Sequence, residues 1–408
     1  MPVKAHDNPQ VLPESPKVVR DIGKWLLFER DGRNLYAVGS ISVDRYLMVP
    51  EDMLDPTMLV IRYLDGSHDL PWIRKQVFQE QGKTVDVEAL CHKLLNSGLI
   101  PTAEPLNQQP YSEFLRHSFR LLTFQVGSMF SYIRPLQVLV SPYGVISGAA
   151  LLLAAAGALP TWLRAASWGG GGAPSVLEYL FLWTGVLIIA LIHESFHGLA
   201  SLRYGLVPKS ITFALYLGFI PYVYIKIPGI YTVAPGLRVR IWLAGMYANI
   251  LIGAMLIVIY PYIAAHHVVA DMSMQLAMAN AGILVFNLSP FMATDMYFVL
   301  STLSKTPNSR TRSYEQLKKW IRGERRSGGP WVTTYLLLAL ATVVYCTYRF
   351  LAWIYELVLF SHRTHDLAAI VQHSMVLLAI ILLLAVRLLW EYIQRRSNEG
   401  IEKRKLSL

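Results

Sequence analysis

Apolar and polar residues alternate over short stretches in the first quarter of the chain and gather into long blocks after about Val138. In the first region, Trp25-Leu26-Leu27-Phe28 and Leu35-Tyr36-Ala37-Val38 flank Arg30-Asp31-Gly32-Arg33, a pattern that predicts a β-hairpin closed by a tight turn. Two apolar runs of helical spacing follow, around Met53–Tyr63 and Trp72–Gln81, punctuated by Leu64-Asp65-Gly66-Ser67. A third helix is predicted over Val85–Ser97, with Val87, Leu90, Leu94 and Leu95 on one face. Gly98-Leu99-Ile100 closes the unit. Strands followed by three helices predict a small α+β winged-helix-like soluble domain over residues 21–104. It follows a polar, Pro-rich leader over 1–20, which is expected to be disordered and lacks the apolar core of a cleaved signal peptide.

The blocks change the class of the protein. A segment that crosses about 30 Å of hydrocarbon as a helix needs roughly 20 apolar residues. Such segments are predicted near 140–163, 177–201, 240–263, 273–302, 331–357 and 373–393, which makes the chain a mainly α, polytopic membrane protein with about six transmembrane helices. Residues 105–139, with Arg116, His117, Arg120 and Arg134, form a basic amphipathic linker toward the membrane. The expected transmembrane core spans 140–302. A basic cytoplasmic loop follows over 303–330, then a C-terminal transmembrane hairpin and basic tail over 331–408.

Composition and charge agree with this layout. Hydrophobic residues make up 54% of the 408 and charged ones only 16%, against about a quarter in soluble proteins. The net charge is +10, and the excess cations sit beside the apolar blocks rather than in a nucleic-acid-binding patch, so no nucleic-acid partner is expected. Arg203, Lys209, Arg238 and Arg240 lie in one connector, and Lys305, Arg310, Arg312, Lys318, Lys319, Arg322, Arg325 and Arg326 in another. The alternate connectors, around Ser167–Ser175, Ala264–Ser273 and Ser361–His373, carry few. Both termini are therefore expected on the cytoplasmic side, in a membrane that the missing cleaved signal suggests is bacterial. Two cysteines, Cys91 and Cys346, imply neither a disulfide framework nor a thiolate metal site.

One block carries chemistry. Within Leu187–Ala200 stands His193-Glu194-Ser195-Phe196-His197. On a helix the two imidazoles share a face one turn apart, a spacing that lets both reach one Zn²⁺ at about 2.0–2.1 Å. Glu194 then lies where it can act as general base toward water activated by the metal. The alternative is a buried polar cluster without a metal. A catalytic zinc site needs a third protein ligand. Asp295, the acidic residue well inside the block 273–302, is the best candidate, with a counter-ion for an arginine as its other reading. Pro290 is expected to break the helix before it, and Asn287 offers an amide for substrate or for a helix–helix hydrogen bond.

These motifs resemble those of the site-2 protease family of intramembrane zinc metalloproteases, in its peptide zinc metalloprotease-like branch. His193-Glu194-Ser195-Phe196-His197-Gly198 resembles the family's H-E-x-x-H-G. Pro221-Tyr222-Val223, after the β-rich stretch Ile211–Ile220, resembles the connector of that branch. Leu243-Ala244-Gly245-Met246-Tyr247-Ala248-Asn249 is similar to its A-G-P-x-x-N segment, and Asn287 through Asp295 to its N-x-x-P-x-x-x-x-D. The matched region is about residues 177–302. The resemblance implies His193, His197 and Asp295 as zinc ligands, Glu194 as base and Asn287 as a substrate or oxyanion contact. Met296 stands where the family has Gly and Met246 where it has Pro, departures that bear on substrate handling more than on the metal. The stretch from Leu64-Asp65-Gly66-Ser67 to Gly98-Leu99-Ile100 resembles a PqqD-like domain, a module that binds peptide leaders.

The expected activity is therefore hydrolysis of peptide bonds in a membrane-associated or ribosomally made peptide substrate, reached from the lipid bilayer. The competing class is a non-proteolytic binding, immunity or export factor on the same scaffold. A solute transporter is a third, opposed by the absence of internal repeats.

Overall fold

The computed structural model describes residues 12–30, 33–82, 85–101, 118–167, 176–216, 220–289, 294–306, 309–324 and 330–364. The chain forms two units, one of residues 1–111 with 228–238, the other of 112–227 with 239–408.

In the first unit, strands β1 (Ile22–Arg30), β2 (Arg33–Ser40) and β3 (Arg45–Pro50) form an antiparallel sheet in that order. The hairpin is the one the sequence predicts; β3 is an addition to it. Strand alternation divides the sheet into two apolar faces. Tyr36, Val38, Leu47 and Val49 pack with helices α1 (Leu54–Tyr63), α2 (Leu70–Gln81) and α3 (Val87–Asn96) around a core that includes Ile73, Val77, Leu94 and Leu95. Asp69 and Asp86 cap α2 and α3, each carboxylate accepting an N–H, from Trp72 and Ala89 respectively, at 2.9 Å. Gly82, at φ +64°, ends α2 in the left-handed region that glycine adopts without strain.

The opposite face of the sheet, Leu27, Phe28, Ala37 and Tyr46, packs with Trp25, Leu35 and Tyr231. Tyr231 belongs to Pro228–Arg238, a segment within the expected transmembrane core that folds instead with this unit. Arg238 is 1% exposed; its Nη2 donates to the Leu27 carbonyl at 2.6 Å, and its guanidinium lies over the rings of Phe28 and Tyr231.

The second unit begins with β4 (Ser118–Gln125), α4 (Gly127–Tyr132) and a 3-10 stretch, Arg134–Val140. The expected amphipathic linker is therefore in part a strand. β4 pairs with β5 (Ser210–Tyr216), which pairs with β6 (Ile220–Lys226), all antiparallel. Among the described residues, four helices are long and apolar enough to cross a membrane: α5 (Pro142–Ser167), α6 (Val176–Arg203), α7 (Pro235–Ile263) and α8 (His267–Leu288). The N-terminal half of α6 exposes Leu177, Leu180, Phe181, Trp183, Leu187 and Ile188, an apolar surface of the kind lipid covers. Its C-terminal half, from His193 to Leu202, is largely buried.

The fourth expected span does not run through to residue 302. α8 starts at His267, ends at Leu288, and is followed by the separate helix α9 (Asp295–Leu303). Pro290 lies outside the described residues; α8 ends two residues before it, at Leu288. The expected basic loop holds a helix, α10 (Ser309–Ile321), which packs on α11 (Pro330–Thr364) through Ser313 Oγ to the Val332 carbonyl at 3.3 Å and Gln316 to Thr333 at 3.2 Å. The sixth expected span, 373–393, lies outside the described residues.

Candidate metal centre

His193 and His197 lie on the buried face of α6, 4% and 2% exposed. Helical periodicity puts them one turn apart, and their Nε2 atoms stand 3.2 Å from each other. Asp295 arrives from elsewhere as the first residue of α9, buried to 8% exposure, where the positive end of the helix favours a carboxylate. α9 is held in place by Phe298, stacked on Trp242 of α7 with ring centroids 4.8 Å apart; Trp242 in turn meets the His197 ring edge-on. Asp295 Oδ2 is 3.0 Å from His193 Nε2, and Oδ1 is 3.2 Å from His197 Nε2.

These spacings suit a common ion. Donors placed tetrahedrally at about 2.0–2.1 Å from a zinc ion stand roughly 3.3 Å from one another. Asp295 Oδ2 is buried and has no hydrogen-bond partner among the described residues, as expected of an atom with one lone pair directed at a metal. His193, His197 and Asp295 are thus a group that could hold a metal ion.

The far side of each imidazole is engaged. His197 Nδ1 donates to the Ile241 carbonyl at 2.7 Å, which leaves its Nε2 lone pair for the centre. His193 Nδ1 faces Asn249 Oδ1. Helix α7 approaches so closely because residue 245 is glycine. A Cβ there would stand 2.5 Å from His193 Nε2 and closer still to His197 Nε2, in the space where the donors converge. Gly198 serves the same α6 turn from behind, since a Cβ would collide with the Phe130 ring of α4. The glycines after the second histidine and in the Leu243–Asn249 segment are therefore matters of space.

Glu194, next to the first histidine, is half-buried, and its Oε2 accepts the Ile225 N–H of β6 at 2.8 Å. Asn287 lies on the helix that precedes Asp295 in the chain. It sits half-buried in the last turn of α8, and its Nδ2 donates to the Ile283 carbonyl of its own helix at 3.1 Å. Asn249 closes the Leu243–Asn249 segment, and Asn280 lies in no motif of the sequence. A buried amide in the middle of an apolar block was the signal each carried.

No protein-family model, no curated protein and no solved structure matches the chain.

Proposed function

We propose that the chain is an intramembrane zinc metalloprotease of site-2 type, with His193, His197 and Asp295 as ligands and Glu194 as general base. The observation that carries this reading is the meeting of three donors from two helices at 3.0–3.2 Å, with a carboxylate one residue from the first ligand. Bound zinc would supply Lewis acidity and lower the pKa of a water toward about 7. Glu194 accepts the proton of that water as its oxygen adds to the peptide carbonyl, then returns a proton to the leaving amine as the C–N bond breaks. His197 and His193 hold their Nδ1 protons on neighbouring oxygens and would give their Nε2 lone pairs to the metal, which leaves Glu194 as the base.

The substrate side rests on β6. It is an edge strand, paired only with β5 among the described strands. The Ile225 N–H points away from β5, toward Glu194, so by alternation Val223 also turns its backbone groups to the free edge. An extended peptide adding there passes the base. Helical substrates must unwind to do this, which favours those with helix-weakening residues near the cut. The sheet and three helices of the first unit fit the PqqD-like resemblance, and a ribosomally made precursor peptide is the substrate class that resemblance favours.

The test is cleavage of such a peptide by the purified protein in H₂¹⁸O. Incorporation of one ¹⁸O into the new carboxylate, lost on chelation and restored by zinc, is the expected result. Zinc bound tightly with no cleavage of any peptide would favour a binding or export role instead.

A further inference from the structure

A chain of three amide and imidazole contacts runs outward from the metal centre across two helices. Asn249 of α7 is 0% exposed and Asn280 of α8 is 2% exposed. Asn249 Oδ1 faces His193 Nδ1, Asn249 Nδ2 donates to Asn280 Oδ1 at 2.9 Å, and Asn280 Nδ2 donates to the backbone carbonyl of Asn249 at 2.8 Å. Gly253, one turn along α7, gives Asn280 room: a Cβ there would come within 3.1 Å of Asn280 Nδ2.

We infer that Asn280, through Asn249, fixes which nitrogen of His193 carries the proton, and so positions that ligand for the metal. The inference rests on the reading of His193 as a ligand. Its logic starts from the one group in the chain of contacts whose polarity cannot change. A backbone carbonyl only accepts, so the Asn280 side chain must turn its NH₂ toward it. The Asn280 oxygen is then left facing Asn249, which must answer with its own NH₂. That turns the Asn249 oxygen to His193, where only a protonated Nδ1 can meet it. Nε2 is left with its lone pair, the state a metal ligand needs. Reversing any single amide would set oxygen against oxygen in a buried site, where an unsatisfied polar group costs about 1–3 kcal/mol. His197 obtains the same tautomer directly from the Ile241 carbonyl; His193 has no carbonyl at that place and obtains it at two removes. Asn249 and Asn280 are positioning residues.

The test exploits the symmetry of a carboxylate. In Asn249→Asp the side chain presents oxygen to His193 whichever way it is turned, so it has no need of Asn280 to orient it. Zinc affinity is measured by chelator competition on wild type, Asn249→Leu, Asn249→Asp, Asn280→Leu and the double variant Asn249→Asp/Asn280→Leu. Loss of the acceptor in Asn249→Leu is expected to weaken zinc roughly 10- to 100-fold, the range for outer-shell partners of ligating histidines. Asn249→Asp is expected to hold zinc within a few-fold of wild type. Asn280→Leu is expected to weaken it in the wild-type background and, because it removes the oxygen that faces the second carboxylate oxygen, to leave it unchanged or to strengthen it in the Asn249→Asp background. If Asn280 acted only by packing, its loss would weaken zinc equally in both backgrounds, and that result overturns the inference. Asn280→Ala carries the same comparison should leucine prevent folding. Wild type that binds no zinc overturns both the inference and the metal centre beneath it; zinc binding with equal penalties overturns the relay alone.

Discussion

The backbone N–H of Ile225 donates to Glu194 Oε2 across 2.8 Å, so one carboxylate touches both the edge strand and the turn of α6 that carries the histidines. In the proposed mechanism this contact holds the base where a peptide added to β6 would run past it. Glu194→Gln keeps an oxygen for the Ile225 N–H and removes the proton acceptor. On the proposed mechanism it lowers cleavage by about 10²–10⁴-fold. Zinc content by elemental analysis is expected to stay at the wild-type value, since the proposed ligand set does not include Glu194. Unchanged cleavage in the purified variant would remove Glu194 from the chemistry.

Asp295 is the proposed ligand whose loss is most informative, because it comes from a different helix than the imidazoles. A metal that binds only the folded state stabilises it by about 2.7 kcal/mol at 100 times its Kd. Zinc is therefore expected to raise the Tm of wild type and to leave that of Asp295→Ala unmoved. Equal zinc content and equal Tm shifts in the two proteins would place Asp295 outside the ligand set.

How much of this was legible beforehand depended on how local each feature is. His193 and His197 could be read because helical spacing alone puts them on one face, and Asp295 because a lone carboxylate in an apolar block stands out. Pro290 signals a helix break before Asp295, but hydropathy alone does not show that the block 273–302 starts earlier, at His267, and divides into α8 and the short helix that Asp295 opens. β4 was read as part of a linker because its partner strand, β5, lies far along the sequence and Leu121, Leu122 and Phe124 stay exposed. Asn287 stood out by its motif, yet its amide bonds its own helix. Asn249 and Asn280 meet only through the relative rotation of α7 and α8, which no single-helix pattern encodes. The first unit is legible in its hairpin and three helices, but not in the segment 228–238, recruited from far along the chain.

Gly245 gives a steric test of the centre that leaves every ligand intact. In Gly245→Ala the new methyl stands 2.5 Å from His193 Nε2, so either the imidazoles or α7 must shift. Overpacking of this kind costs about 1–3 kcal/mol. If the cost falls on the metal-bound arrangement, affinity drops by roughly 5- to 150-fold. Chelator competition reads this directly, and wild-type affinity in the variant would mean the donors do not converge beside residue 245.

Arg238 offers a test of the first unit by itself. Its guanidinium is buried against Phe28 and Tyr231 and satisfies the Leu27 carbonyl, in the strand that opens the sheet. Arg238→Met keeps much of the apolar stem and removes the donor. Hydrogen bonds to charged groups are worth about 1.5–3 kcal/mol, so the variant is expected to lose stability of that order. Arg238→Lys, which keeps the charge without the planar fork, is expected to recover only part of it. Limited proteolysis is the readout, with cleavage of the 12–101 region quickening in the order wild type, lysine, methionine. The same packing predicts that residues 12–101 expressed without 228–238 expose Leu27, Ala37 and Tyr46 and bind a hydrophobic dye. A fragment that melts cooperatively and leaves the dye dark would show that the second apolar face of the sheet does not need Tyr231 and Arg238 to cover it.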